Sequence, residues 1–404
     1  MQLRHLSVFS VAIASVAATT FALAPAAGPV EFAAHDIDPK LPGAYAVNVA
    51  DFNKDGKPDV IANSLGVREL AWYENPTWAR HVIVQDTAGI VNQAMADIDG
   101  DGIPELAFQS SFAMQPANSA GLNWIARYPG APDQPWKTEK VDEFPTSHHI
   151  VWADLDGDGK KELINAPLLG PKGAAPTYDQ DVVPVFWYSP KDWKRHTVTL
   201  NIPGIIHRVR PVSWDNDKRQ QILIASFEGI VLYRAKGTGE AMTFEKQVLS
   251  VGHAEKAPRL GASDVGVGKQ DGKRFFASVE PWHGNEVVVY TDTGGKWDRR
   301  VIFDKVASGH EIAVADLNGD GRDDIVANDN ARGPTATNPN ALPGGVHVFY
   351  APDNAATGEW KYQRLDDKAG MNSCMAVDLN ADRKTDLVCG GAGGIVRWYE
   401  NKGR

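Results

Sequence analysis

The sequence predicts an all-β fold, a seven-bladed β-propeller with four-stranded blades, from three observations. An Asp/Gly-rich phrase recurs along the chain, a short apolar strand precedes and follows each copy, and a further strand with aromatic residues comes next. The spacing of the copies fits the length of a propeller blade. A unit of this kind cannot bury its faces alone, so the regular repeat favours one ring over the two or three domains that 404 residues would otherwise suggest.

The recurring phrase has five near-complete copies, each with oxygen-bearing side chains at positions 1, 3, 5 and 9 and a backbone carbonyl at position 7. These are the first nine positions of a calcium loop, and the absence of flanking helical patterns excludes an EF-hand. The sequence therefore predicts structural Ca²⁺ sites in these loops. The predicted ligands are Asp51, Asn53, Asp55, Lys57 and Asp59; Asp97, Asp99, Asp101, Ile103 and Glu105; Asp154, Asp156, Asp158, Lys160 and Glu162; Asp316, Asn318, Asp320, Arg322 and Asp324; Asp378, Asn380, Asp382, Lys384 and Asp386.

The remaining blade elements follow each loop in order. In the third unit, apolar residues 150–153 and 163–166 flank the loop, an aromatic strand includes 187–188, and a fourth strand covers 193–198. Degenerate copies of the phrase at 214–217 and 267–272 raise the number of units to seven.

The two ends of the chain complement each other. The seventh unit ends after its third strand, and residues 30–37 resemble the fourth-strand pattern of residues 78–83. The N-terminal segment is therefore predicted to complete the last blade and close the ring, which removes the free sheet edges.

The N-terminus has the pattern of a secretory signal peptide over residues 1–26: Arg4, an apolar run over 8–24 and small residues around Ala26. The alternative is an apolar helix of the fold. We expect a periplasmic or secreted protein with one propeller domain over 27–404 and no membrane span. The net charge of −10 argues against nucleic acid as a partner. Cys374 and Cys389 are predicted to be cross-strand neighbours, either as a disulfide or as a pair of small buried side chains.

Histidine placement suggests a site. His149, His207 and His310 precede their loops at the start of the innermost strands, and His283 lies in a link that returns the chain to the same face. Innermost strands line the central channel of a propeller, so these four side chains are predicted to converge at one mouth. Three imidazoles form the ligand set of an open catalytic zinc site. The alternative is a polar channel whose histidines bond ordered water.

Three long insertions, at 111–122, 170–183 and 328–345, are predicted on the same face. Long loops in a compact fold are often functional, and here they would wall a pocket. The predicted contacts to a sugar-like substrate are Tyr178, Asp179, Asp181 and Arg332.

The repeats resemble those of FG-GAP or VCBS propellers. Residues 147–151, 204–208, 279–290 and 308–321 further resemble the propeller of the aldos-2-ulose (anhydrofructose) dehydratase family and related 3-keto-glycoside lyases. The Trp-His-Gly-Asn turn at 282–285 carries the most specific part of this resemblance, because the Asp/Gly loop is shared by unrelated proteins.

The resemblance implies an exported, metal-dependent carbon–oxygen lyase that catalyses β-elimination on small keto-sugars or keto-glycosides. The metal, Zn²⁺ or another divalent transition metal, is assigned to His149, His207 and His310. His283 and Glu280 are assigned as base or acid. His148 is held as an alternative to His149, since strand alternation turns only one of two neighbours toward the channel.

Two other functions remain open. A non-catalytic, calcium-stabilised propeller that binds a glycan or a protein needs no converging metal ligands. A polysaccharide lyase acting on uronic acids would favour more Arg and Lys at the channel mouth than the sequence shows.

Overall fold

A computed structural model describes residues 28–404 except 216, 331–337, 367–369 and 392. The predicted signal peptide and Arg332 lie outside the described residues. Within them, regular structure is β apart from two 3₁₀ turns, Pro116–Asn118 and Gly239–Ala241. No helix in this part of the chain has the length and apolar character needed to cross a membrane.

The described strands form seven four-stranded antiparallel sheets arranged as the blades of a β-propeller, which confirms the predicted fold. The N-terminal strand is β1 (Glu31–Asp38). Blade 1 contains β2 (Ala44–Ala50), β3 (Asp59–Ser64), β4 (Leu70–Glu74) and β5 (Ala79–Val84), and blade 2 contains β6 (Asn92–Ala96), β7 (Glu105–Ser110), β8 (Leu122–Arg127) and β9 (Lys137–Glu143). Blade 3 contains β10 (Ser147–Ala153), β11 (Glu162–Pro167), β12 (Val182–Tyr188) and β13 (Arg195–Pro203), and blade 4 contains β14 (Ile206–Val212), β15 (Gln221–Ser226), β16 (Gly229–Lys236) and β17 (Thr243–Ser250). After the hairpin of β18 (His253–Ala254) and β19 (Leu260–Gly261), blade 5 contains β20 (Asp264–Gln270), β21 (Lys273–Glu280), β22 (Glu286–Asp292) and β23 (Trp297–Phe303), and blade 6 contains β24 (Gly309–Ala315), β25 (Asp324–Asp329), β26 (Val346–Tyr350) and β27 (Lys361–Asp366).

Blade 7 combines both ends of the chain. It contains β28 (Ser373–Val377), β29 (Asp386–Gly391) and β30 (Ile395–Gly403), and β1 pairs antiparallel with β30 as its outermost strand. The predicted closure of the ring by the N-terminal segment is therefore confirmed.

Seven apolar cores lie between neighbouring blades, including one between blades 7 and 1. The aromatic third strands supply much of this packing: Trp72, Trp187 and Tyr290 are at most 2 % exposed. Burying an aromatic side chain of this size stabilises the fold by roughly 1.5–3 kcal/mol. Cohesion is therefore distributed around the ring.

Blade 7 also holds the two cysteines. Cys374 in β28 and Cys389 in β29 are directly opposed, and they form a disulfide with their Cα atoms 4.1 Å apart. The alternative of two buried thiols is wrong. The bridge ties the innermost strand of this blade to the next strand.

Candidate active site

Four innermost strands begin with a β-bulge, in which the innermost strand has one residue more than the neighbouring strand that it pairs with. These places lie in β2 between Ala44 and Val47, in β10 around His148, in β14 around His207 and in β24 around His310. An extra residue of this kind bends the strand and re-aims its side chain. Tyr45 lies within the first of these bulges, so all four blades present a ring at one mouth of the channel.

The rings from these bulges meet across the channel. Tyr45 Oη lies 3.1 Å from His148 Nε2 and 3.0 Å from His310 Nε2, although blades 1, 3 and 6 are not neighbours. His207 packs edge-on against His310, with ring centroids 4.9 Å apart. The predicted convergence of histidines is thus present in the structure, with Tyr45 at its centre.

His207, His283 and His310 are grouped most closely, with one ring nitrogen of each within 4.8 Å of the others. His207 Nδ1 donates to the Ser263 carbonyl at 3.0 Å, and His310 Nδ1 donates to the Asn372 carbonyl at 2.7 Å. These bonds place the lone pairs on both Nε2 atoms, and a backbone carbonyl on the outer nitrogen is the usual support of a metal-bound histidine. The donor set fits a divalent transition metal such as Zn²⁺.

The group whose ring nitrogens lie close enough to share a metal ion differs from the predicted ligand set in one member. His149 accepts from Asn92 Nδ2 at its Nδ1 (3.1 Å), and its ring also hydrogen-bonds the backbone of His207, so both sides of the imidazole are engaged by protein. His283, assigned above as a base or acid, takes the third place in the group, with its Nε2 3.0 Å from His207 Nε2.

His148 and His149 both turn into the cluster, with ring centroids 4.8 Å apart, so the expectation that only one of them faces the channel is wrong. The bulge is the reason, because it breaks the alternation of side chains. His310 Nε2 carries a lone pair, so Tyr45 donates to it and accepts from His148 Nε2. His148 Nδ1 is then an acceptor, and it is buried without a hydrogen-bond partner among the described residues.

Burial keeps these imidazoles neutral. Loss of solvent lowers the pKa of His148, His149 and His207 well below the usual value, and neighbouring charges, those of other histidines among them, act in the same direction. Burial lowers the pKa of His283 to about 3 and that of His310 to about 4. Neutral imidazole is the form that binds metal or accepts a proton.

A cavity of about 320 Å³ extends from Tyr45, His148 and His310 along the channel. Its volume is at the small end of ligand pockets, which suits a single small molecule better than a polymer. Arg208 crosses it from blade 4, with Nε 3.0 Å from Asp264 Oδ1 and a contact to Glu311 of blade 6.

Residues of the first two insertions and the turn that carries Trp282 cover this face. The ring centroids of Phe112, from the first insertion, and His148 lie 5.2 Å apart. Those of Trp282 and His283 lie 4.7 Å apart. Tyr178 contacts Trp282 at 5.4 Å, so this predicted substrate contact lies behind the tryptophan. An apolar cluster that includes Leu169 and further residues of several blades supports these rings. The histidines are consequently shielded from water on their own side.

Three predicted site residues lie outside the cluster. Glu280 is fully buried and engaged by Tyr290 Oη (2.7 Å) and Arg299 Nε (2.9 Å) of its own blade, which contradicts its assignment as a base beside the histidines. Asp179 is exposed and accepts from Thr177, and Asp181 accepts backbone N–H groups of its own loop. All three side chains therefore make their hydrogen bonds within their own blade or loop and not with the histidines.

The Asp/Gly loops lie at the other face and share one internal pattern. The first carboxylate accepts from the backbone N–H of position 6, as Asp97 does from Gly102 at 2.9 Å. The ninth carboxylate turns inward and accepts from the N–H of position 2, as Glu162 does from Leu155 at 2.9 Å. Burial is the main reason why the pKa of Glu162 is raised to about 7.

The five loops differ in what lies beside their acids. A basic side chain pairs with the fifth-position carboxylate in three of them, through Lys57, Arg322 and Lys384. The other two bring three acidic ligand atoms within 4.8 Å of one another. These are Asp97, Asp99 and Asp101 in blade 2, and Asp154, Asp156 and Glu162 in blade 3, so these loops fit a calcium ion best.

Sequence reasoning missed Tyr45, Arg208 and Glu311 in the channel. Arg208 and Glu311 directly follow His207 and His310, and a bulge at each histidine would have shown that both neighbours face inward. Tyr45 had a weaker signal, its position at the start of an innermost strand.

Comparisons with known proteins agree with this architecture. Residues 51–108 match an FG-GAP-like repeat and residues 308–340 an FG-GAP repeat. Residues 120–293 match the family described as aldos-2-ulose dehydratase, beta-propeller domain. This chain is similar to that propeller. The curated aldos-2-ulose dehydratase of Phanerodontia chrysosporium is 22% identical over 302 residues, a match that covers 67% of this chain and 31% of the relative.

The chain thus spans less than a third of the length of this curated relative. A solved structure, the crystal structure of BBS1N in complex with ARL6DN, soaked with mercury, matches with a TM-score of 0.54 at 11% identity. That match covers 92% of this chain and 96% of the other, and it supports the fold alone.

Proposed function

We propose that this protein is a metal-dependent carbon–oxygen lyase that eliminates a β-oxygen from a small keto-sugar or 3-keto-glycoside. The observation that carries the proposal is the convergence of His207, His283 and His310 beside the Tyr45–His148 pair, at the head of a small channel cavity. The similarity to the aldos-2-ulose dehydratase propeller supports the class of reaction.

His207, His283 and His310 would hold a divalent metal ion, which supplies polarisation of the substrate ketone and so acidifies the adjacent C–H. His207 and His310 are oriented for this by the Ser263 and Asn372 carbonyls. The cap of Phe112 and Trp282 excludes water from the same place, which strengthens electrostatic interactions there.

His148 is the proposed base, because its Nδ1 is buried and unpartnered among the described residues. It takes the proton next to the ketone, the C–H electron pair becomes the new C=C bond, and the β-oxygen leaves with the electrons of its bond to carbon. Tyr45 protonates the leaving oxygen and recovers a proton from His148 Nε2, 3.1 Å away. The Tyr45–His148 pair ends neutral, and the elements of water or an alcohol are released.

The test combines metal analysis with an ultraviolet assay of enone formation from 1,5-anhydrofructose and a 3-keto-glucoside. We expect about one transition metal per wild-type chain, and loss of both metal and enone in the His207→Ala/His283→Ala/His310→Ala variant. His148→Gln and Tyr45→Phe should retain the metal and lower the rate by about 100-fold or more.

The His196→Ala variant is a matched control, because His196 stacks on Trp187 in an outer strand, far along the blade from the channel. A metal-free protein without enone formation would instead favour the non-catalytic binding function. Formation of an unsaturated uronate from a uronate polysaccharide, with no enone from the keto-sugars, would favour the uronate lyase.

We further propose export of the protein and calcium binding by the loops of blades 2 and 3. The signal-peptide pattern of residues 1–26 supports export, and the two three-acid groups around Asp97 and Asp154 support calcium binding. Addition of Ca²⁺ after chelation should raise the melting temperature of wild-type protein. The Asp97→Asn/Asp154→Asn variant should lose most of this increase, whereas Asp51→Asn, in a loop with a paired lysine, should retain it. An equal response from all three proteins would contradict the assignment.

A further inference from the structure

One ion pair spans the channel below the histidines. The Arg208 guanidinium of blade 4 reaches Glu311 of blade 6, and blade 5 contributes Asp264 to the same guanidinium. Because blades 4 and 6 are not neighbours, the Glu311 carboxylate must lie within the channel. Both residues line the cavity beside Tyr45 and His148.

Four cavity-lining side chains each keep one buried polar atom without a hydrogen-bond partner among the described residues: Gln93 Oε1, His148 Nδ1, Glu311 Oε2 and Arg208 Nε. Arg208 Nε, the one donor, is compensated by the Asp264 carboxylate, whose Oδ1 lies 3.0 Å away. The other three atoms are acceptors, since the partners of His148 leave the lone pair on Nδ1. A buried acceptor without a partner costs free energy, so this arrangement selects ligands that bring donors.

The cationic groups nearby are already compensated. Arg208 faces Asp264 and Glu311, and Arg210 lies 3.2 Å from Asp264 and donates to the Val265 carbonyl. Two guanidinium groups therefore face two carboxylates, and no net positive charge remains for an anionic ligand. A ligand carboxylate would also meet Glu311 Oε2, a second negative group.

We propose that Glu311 determines specificity in the channel cavity, accepting a hydrogen bond from a ligand hydroxyl at Oε2 while Arg208 holds its carboxylate in place. It thereby favours neutral polyhydroxylated ligands and disfavours ligands that carry a carboxylate. This inference rests on the proposed function, since it takes the cavity as the substrate pocket, but it concerns binding and does not require turnover.

The test is calorimetric titration of the purified protein with two unreactive probes, 1,5-anhydroglucitol and D-glucuronate. Wild-type protein should bind the neutral probe at least about tenfold more tightly than the anionic one. Glu311→Gln should weaken the neutral probe by about tenfold, the effect of a hydrogen bond to a charged group, and should strengthen the anionic probe because Arg208 loses a counter-charge.

Two further variants make the result specific. Glu228→Gln is the matched control. Like Glu311, Glu228 pairs with a basic side chain, here that of Lys246, and has a buried oxygen without a hydrogen-bond partner, but it does not line the cavity. It should leave both affinities unchanged. Gln93→Leu removes an acceptor without changing charge, so it should weaken the neutral probe and leave the anionic probe as weak as before. If Glu311→Gln does not fold, the preference of wild-type protein between the two probes remains the test.

An unchanged ratio of the two affinities in a folded Glu311→Gln variant would overturn the inference. So would a wild-type protein that binds neither probe or prefers glucuronate. Binding as expected without enone formation from any keto-sugar would reject the proposed reaction and leave the role of Glu311 standing.

Discussion

At the scale of single residues, the channel mouth concentrates five imidazoles in a space that water hardly reaches. His148, His149, His207 and His310 are each at most 4 % exposed. Each proton added there loses hydration and meets other cationic groups, which is why the pKa values fall. The same neutrality that prepares the site for a metal or a proton makes it sensitive to acid.

The metal-free protein should therefore lose stability in acid through this cluster. Burial, together with Arg208, lowers the pKa of His310 to about 4, against about 6.5 in the unfolded chain. The contribution is fully present above pH 6.5 and is lost as the pH falls toward 4. The part already lost at pH 5 amounts to about 2 kcal/mol.

Denaturant unfolding at pH 7.5 and pH 5.0 measures this effect. The difference in unfolding free energy between the two pH values should be about 2 kcal/mol smaller in His310→Gln than in wild type. The exposed His35, which pairs with Glu400, provides the control variant His35→Gln. An equal pH dependence in all three proteins would contradict the explanation.

The sequence predicted which face the histidines share, but it did not predict the role of each. A bulge adds one residue without disturbing the apolar pattern on either side, so His148 and His149 looked like alternating neighbours. Glu280 was misplaced for another reason. Its partners Tyr290 and Arg299 come from later strands of the same blade, and single-sequence spacing does not show that they turn the carboxylate away.

At the scale of the blade element, the Asp/Gly turn is stabilised from inside by its ninth residue. Asp324 accepts from Leu317 N–H at 3.0 Å and from Ala351 N–H at 2.8 Å, which ties the turn to the third strand. In the degenerate turn of blade 4 the amide oxygen of Gln221 does the same for Trp214 N–H at 2.7 Å. The inward bond therefore needs an acceptor and does not need a charge.

This explains a predicted difference between two substitutions of Glu162. Glu162→Gln keeps an acceptor for Leu155 N–H and should change the unfolding free energy by less than about 1 kcal/mol. Glu162→Leu leaves that buried N–H without a partner and should cost roughly 1–3 kcal/mol. Both are measured by urea unfolding without added calcium.

The control for the Glu162 pair is Glu139→Leu, at an exposed position in β9 where the carboxylate only pairs with Arg127. It should have an effect within about 0.5 kcal/mol. If Glu162→Gln is as damaging as Glu162→Leu, charge and not hydrogen bonding stabilises the turn.

At the scale of the whole molecule, each of the seven blades described has four strands. The last blade reaches this number because β1 pairs with β30 as its outermost strand. This closure was predictable, since both ends of the chain carry matching parts of one blade. The hairpin β18–β19 between blades 4 and 5 was not predicted, because its two-residue strands are too short to show a pattern.

Removal of residues 1–38 should therefore destabilise the ring and promote association. It leaves the backbone of β30 unpaired along its outer edge and removes Ile37 from the core between blades 7 and 1. Size-exclusion chromatography with light scattering should show oligomers or aggregates, with a lower melting temperature. Removal of residues 1–27 alone is the control, and a truncation to residue 38 that stays monomeric and equally stable would contradict this view of closure.

The four bulges have a consequence for how such a site arises and is lost. Each bulge adds a single residue at the start of an innermost strand, and the rest of that strand pairs regularly with its neighbour. A blade without the bulge would therefore still be a complete blade. Gain or loss of one codon per blade could therefore turn a plain scaffold into a site-bearing one without rebuilding any core. Propellers of this architecture can thus differ in chemistry while remaining interchangeable as folds.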